Sequence, residues 1–252
     1  MTEFATLSPA EVETELDRLA ARYRAAGGAG VHLLNLLGSK AEGLLDRLPP
    51  SLREGLDDAT ERALAIAMKA AHETRKTVPD QAEWVNTAVT TAMGAAGGFG
   101  GLPTAFVELP ATVTVLLRAI QGVAAEHGFD PASESVQFDC VRVLAAAGPL
   151  SSDDGSDLGF ITLRLTLTGG TMQRLIAMVA PRLAAVLGQK LAAQTVPLLG
   201  ALAGAGTNYA YTRYYQEIAH VHFGLRKLAI EADIPEADLI ERLRQRMRPR
   251  LG

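Results

Sequence analysis

One cysteine, one tryptophan and an aromatic content of 5% are what this 252-residue chain has least of. A lone Cys140 forbids an internal disulfide and any zinc or iron–sulfur site built from several thiolates. Set in SVQFDCVRVL, it reads as a small buried hydrophobe, not a nucleophile. Strand-type alternation is missing over any useful length. The one β-prone stretch, LGFITLRLTL (158–167), would have no partner strand and reads as helix. Net charge is only −4, with an isoelectric point near 5.8, so the basic footprint of a nucleic-acid binder is absent. A hydrophobic fraction of 48% excludes general disorder. The opening MTEFATLSPAEVETELDR is acidic and has no apolar h-region, so no secretory leader is expected and a cytoplasmic location is.

Catalytic and cofactor signatures are missing as well. No GxxxxGK[ST] occurs, GGFGG (97–101) runs into Leu-Pro without a lysine, and no strand precedes Gly204 and Gly206, so nucleotide binding is not expected. No Gly-x-Ser-x-Gly accompanies the five histidines. Glu217 and His220 have Glu-x-x-His spacing, but a di-iron bundle needs two such pairs and this is the only one. Asp153, Asp154 and Asp157 lack EF-hand spacing and read as a solvated loop. No metal or cofactor is expected.

Helix is what remains. Ser8, Pro9 and Glu11 form a capping box, with Ser8 as N-cap. Val12, Leu16, Leu19 and Tyr23 follow at helical spacing, and Gly27-Gly28 predict a stop. A leucine-rich segment (31–48) ends at Pro49-Pro50. The next helix runs to about Arg75, with Leu52, Leu56, Ala59, Ala63, Ile66 and Ala70 as its apolar stripe. Residues 84–107 carry no charge and predict a helix, the GGFGG turn and a second helix entered at Pro103, kinked at Pro110 and capped by Gly128. Further helices are predicted over 134–147, 171–203 with bends at Pro181 and Pro197, 206–231 and 236–248. The expected fold is all-α: a compact bundle of eight to ten helices around a glycine-rich apolar hairpin. Residues 1–49 read as an N-terminal helical extension packed on a domain spanning 50–252.

The segment from GGFGG through Leu102-Pro103, Glu108-Leu109-Pro110 and Leu116-Leu117-Arg118-Ala119-Ile120 has specific wording. Together with Gly204-Ala205, Asn208-Tyr209 and Thr212, it resembles the EcsC protein family over about residues 50–248. That family takes its name from the third product of a bacterial operon whose first two products form an ABC transporter. The resemblance implies an α-helical, cytosolic or membrane-associated protein without an established catalytic activity, and it implies no catalytic residues.

Two function classes stay open. The first is a non-enzymatic cytoplasmic protein, peripheral at the inner face of the cell membrane, that binds lipid or is linked to a transporter or secretion process. The charge-free segments 84–107 and 191–212 and their small-xxx-small pairs, such as Gly94/Gly98 and Gly200/Gly204, suit it. They are too rich in Ala, Gly and Thr to read as stable spans, and buried core is the simpler reading. Arg242, Arg244, Arg246, Arg248 and Arg250 form an arginine-rich tail that would contact anionic lipid, or would only complement the helix dipole. The tyrosines 209, 211, 214 and 215 would sit at a headgroup interface or in the core. The second class is a hydrolase acting on a lipid-like substrate in an apolar pocket. Its residues would come from a buried polar cluster of Glu108, Arg118, Asn208, Thr212, Arg213, Glu217 and His220. Arg213 and Glu217 alternatively form a simple i,i+4 ion pair beside a hydrogen-bonded His220. Glu108 lies in so apolar a stretch that a cation or amide partner is predicted, Arg213 first, then Arg118 and Asn208. Convergence of these groups on one cavity would favour the enzyme; scatter or mutual pairing would favour the binding protein.

Overall fold

A computed structural model describes residues 7–37, 48–77, 85, 87–89, 91–92, 102–146, 171–194 and 200–247. At 27, 29–37, 52, 72, 75–77, 102–108, 189–191, 193–194, 200–204 and 207 the description is of the backbone. Seven helices are bounded among these residues: α1 (Pro9–Leu37), α2 (Pro50–Thr77), α3 (Leu102–Glu126), α4 (Glu134–Val143), α5 (Met172–Gln194), α6 (Gly200–Ala232) and α7 (Glu236–Met247). Residues 85, 87–89, 91 and 92 are also helical, and no strand occurs among the described residues. The fold is all-α. The GGFGG turn, the acidic loop and the 158–167 stretch lie outside the described residues.

The predicted capping box is present at α1. The Ser8 amide donates to Glu11 Oε2 at 2.8 Å, and the Glu11 amide donates back to Ser8 Oγ at 3.4 Å. Val12, Leu16, Leu19 and Tyr23 are all buried. The predicted stop at Gly27-Gly28 is overturned: α1 continues to Leu37. Glycine inside a helix costs only about 1 kcal/mol, and Gly28 does not take the left-handed conformation that would end one. Gly128 does take it, with φ +84. Its amide donates to Ala125 O and the Phe129 amide to Ala124 O, a Schellman ending for α3 as predicted.

The buried face of α2 is also corrected. It runs through Leu56, Thr60, Ala63, Leu64, Ala67 and Ala71, while Ile66 is 55% exposed. An alanine-rich helix carries too little contrast between its faces for periodicity to orient it. α3 and α5 pass through Pro110 and Pro181 as single helices. α4 is shorter than predicted, and α6 starts at Gly200 instead of 206.

α6 is the axis of the bundle and packs against α1, α3, α4, α5 and α7. Tyr211, Tyr215 and Phe223 on it are among the largest fully buried side chains. The two tyrosine hydroxyls find backbone acceptors, as buried tyrosines usually do: Tyr211 donates to Val186 O at 3.0 Å and Tyr215 to Leu144 O at 3.4 Å. Tyr214 is buried too, so of the four tyrosines only Tyr209 is exposed. Core, not a headgroup interface, is where the other three belong.

Candidate functional site

α1 runs antiparallel to α6: Leu7 meets Glu231, Leu19 meets Gly224 and Arg22 meets Glu217. The two helices approach closely at Gly224, where a Cβ would stand 2.6 Å from Leu19 Cδ2. Beside it, α1, α6 and the end of α3 enclose a cleft of about 450 Å³. Glu15, Arg18 and Arg22 line one wall, Lys227 lies opposite, and His127 and His220 also border it.

His127 Nε2 and His220 Nδ1 face each other at 3.0 Å. One ring donates and the other accepts, so the pair carries a single proton between those two nitrogens. Burial pushes the His127 imidazole down, and the charges of His220, Lys227, Arg18 and Arg22 push it further, to about 4. It is neutral at neutral pH. Each of the cleft's cations meets a carboxylate. Arg18 forks onto Glu15 at 2.5 and 2.8 Å, Arg22 reaches Glu217 at 2.9 Å, and Lys227 faces Glu231 at 3.7 Å. No serine, threonine or cysteine lines the cleft among the described residues. The histidine pair can exchange a proton, but it has no hydroxyl or thiol there to activate.

A second polar centre lies at α4. Asp139 is buried, and its Oδ1 accepts from Arg142 Nη1 at 2.6 Å while Oδ2 accepts from Arg226 Nη1. His222 Nε2 stands 3.3 Å from Oδ1. Arg226 also lies over the Phe129 ring, 4.6 Å from its centroid. Burial pushes the Asp139 carboxyl up, but His222, Arg142 and Arg226 outweigh it and hold it down to about 2. This network fastens α4 to α6.

The predicted polar cluster is divided between these surroundings. His220 lines the cleft; Arg213 bonds Glu217 at 3.1 Å, the simple i,i+4 pair, with Arg22 as a second cation on the same carboxylate. Asn208 and Thr212 are buried on α6, and Arg118 is half-buried on α3. Only His220 of the predicted cluster lines the cleft. The side chain of Glu108 lies outside the described residues, and with it the predicted pairing. Among the described residues no three His, Cys, Asp or Glu side chains gather as a metal site.

The arginine-rich helix α7 lies against α1. Arg242 and Arg246 both bond Glu13, Arg246 Nε also reaches Asp17 at 2.8 Å, and Arg244 pairs with Glu241 at 2.9 Å. Arg248 and Arg250 lie outside the described residues.

Residues 57–228, from α2 to late in α6, match the EcsC protein family. The chain belongs to the EcsC family. No curated protein and no solved structure matches it. The EcsC region holds His127, His220 and the Asp139 network, whereas the α1 wall of the cleft and all of α7 fall outside it. Sequence reasoning missed His127, Arg22, Asp139, His222 and Arg226. The spacing of Asp139 and Arg142 on one short helix was the only local signal; the other partners meet across 83 to 195 residues.

Proposed function

We propose that this EcsC-family chain is a non-enzymatic helical binding protein that works at the cytoplasmic face of a membrane. The observation that carries the reading is the state of its reactive groups. Glu217 takes both Arg213 and Arg22, and of the predicted polar cluster only His220 borders the cleft, with no hydroxyl or thiol nucleophile beside it among the described residues. The hydrolase alternative draws no support from that arrangement. The charge-free segments 84–107 and 191–212 support membrane association. Among the described residues no helix is long and apolar enough to cross a membrane, so the proposed attachment is peripheral. Anionic lipid or a membrane protein complex, with an ABC transporter as the class the family name suggests, is the proposed partner.

Flotation with liposomes tests this. Binding should require anionic lipid and fade with salt, because the screening length falls from ~10 Å at 0.1 M to ~3 Å at 1 M. Binding indifferent to lipid charge and salt removes the electrostatic part. No binding at all removes the membrane reading for the isolated protein.

A further inference from the structure

Helix α7 presents Arg242 and Arg246 one turn apart, and α1 presents Glu13 and Asp17 with the same spacing. The two stripes interlock: Glu13 takes both arginines and Asp17 takes Arg246 a second time. Arg246 is oriented further by donating to Arg242 O at 2.9 Å. The opposite face of α7, Leu239, Ile240, Leu243 and Met247, is buried, so the helix is fixed while its arginine heads stay near the surface. Both α1 and α7 lie outside the region matched to the family. The interlock therefore lies outside the EcsC match.

We propose that Glu13 and Asp17 occupy the Arg242–Arg246 stripe as an internal stand-in for anionic phospholipid headgroups and so restrain membrane binding. The inference rests on the membrane reading above. Arginine's planar fork donates to carboxylate and phosphate oxygens in the same geometry, so a headgroup phosphate competes for the same donors. Competition needs no undocking of α1, which is held on α6 separately by buried Leu19 against Gly224 and by the Arg22–Glu217 pair. Asp17 is 72% exposed and Glu13 46%. Arg242 is 35% and Arg246 20% exposed, so the carboxylate side of each pair is the open one. Pairs at a water-exposed edge contribute little and yield there to a surface dense in phosphates.

The test uses the full chain and vesicles of phosphatidylcholine with about 30 mol% phosphatidylserine at low salt, where each freed basic residue strengthens binding about fivefold. Glu13→Gln/Asp17→Asn should bind these vesicles about tenfold or more tightly than the parent. Adding Arg242→Gln/Arg246→Gln should abolish the gain. Asp57→Asn/Asp58→Asn removes the same charge from an exposed part of α2 and should leave the parent affinity nearly unchanged. Asp17→Asn alone, at the most exposed position, should give a smaller gain of the same sign. Equal binding by parent and variants, or a gain that survives loss of the arginines or is matched by the α2 control, overturns the masking while leaving the membrane reading intact. No binding by any of them overturns both.

Discussion

Asp139 joins groups that the sequence spreads across 87 positions, and the cost of removing it follows from what stays behind. Asp139→Ala leaves the guanidinium groups of Arg142 and Arg226 without their shared carboxylate. Breaking a buried pair from one side typically costs about 3–5 kcal/mol, to be read from the urea midpoint at constant slope. Asp139→Asn keeps an acceptor oxygen and should cost less. The same carboxyl predicts an acid window. Its folded value of about 2 lies below the ordinary 3.8, so its stabilisation is complete above that ordinary value and is lost as pH falls toward 2. The asparagine variant should lack that part of the acid dependence. Gly224 gives a steric prediction. A methyl there must displace Leu19 Cδ2, and Leu19 is fully buried. Gly224→Ala should therefore destabilise by about 1–3 kcal/mol, and by less than that in a Leu19→Ala background, because the two changes meet at one contact.

Among the elements, α1 should behave as part of the core although it precedes the family region. Leu16→Ala should cost about 2–5 kcal/mol in equilibrium unfolding; a change within error would mean that α1 is loosely held. The ends of helices were legible where the signal is chemical and local: Ser8 with Glu11 at the start of α1, and Gly128 at the end of α3. Gly27-Gly28 misled because a glycine pair ends a helix only when a left-handed turn is more favourable than continuation, and tertiary packing decides that. α2 was legible as a helix but not in its orientation, since alanines lie on both sides of it. The polar stripe on α6 was legible, and so was its Arg213–Glu217 pair. The cleft was not, because His127, Arg22 and the glutamates are ordinary surface residues until α1 and α3 are laid against α6.

At the scale of the whole molecule, the histidine pair sets a second acid window. His127 is held at about 4, below its ordinary 6.5, so the unfolded chain takes up a proton that the folded cleft refuses. Its contribution is complete above 6.5 and is lost as pH falls toward 4. Proton titration by NMR should find the His127 ring titrating near 4, and His127→Gln should flatten the stability slope between those values. A ring titrating at its ordinary pH would show that the cleft leaves it open to water. The pairing of α1 with α6 and α7 also dictates an order of assembly. During synthesis α1 emerges well before Glu217, Gly224, Arg242 and Arg246, its partners 195 to 233 residues further along. Val12, Leu16, Leu19 and Tyr23 must wait uncovered until those partners are made. The nascent chain thus offers chaperones an apolar helix long before its partners exist, and folding of this bundle closes by joining an early-made helix to later-made ones.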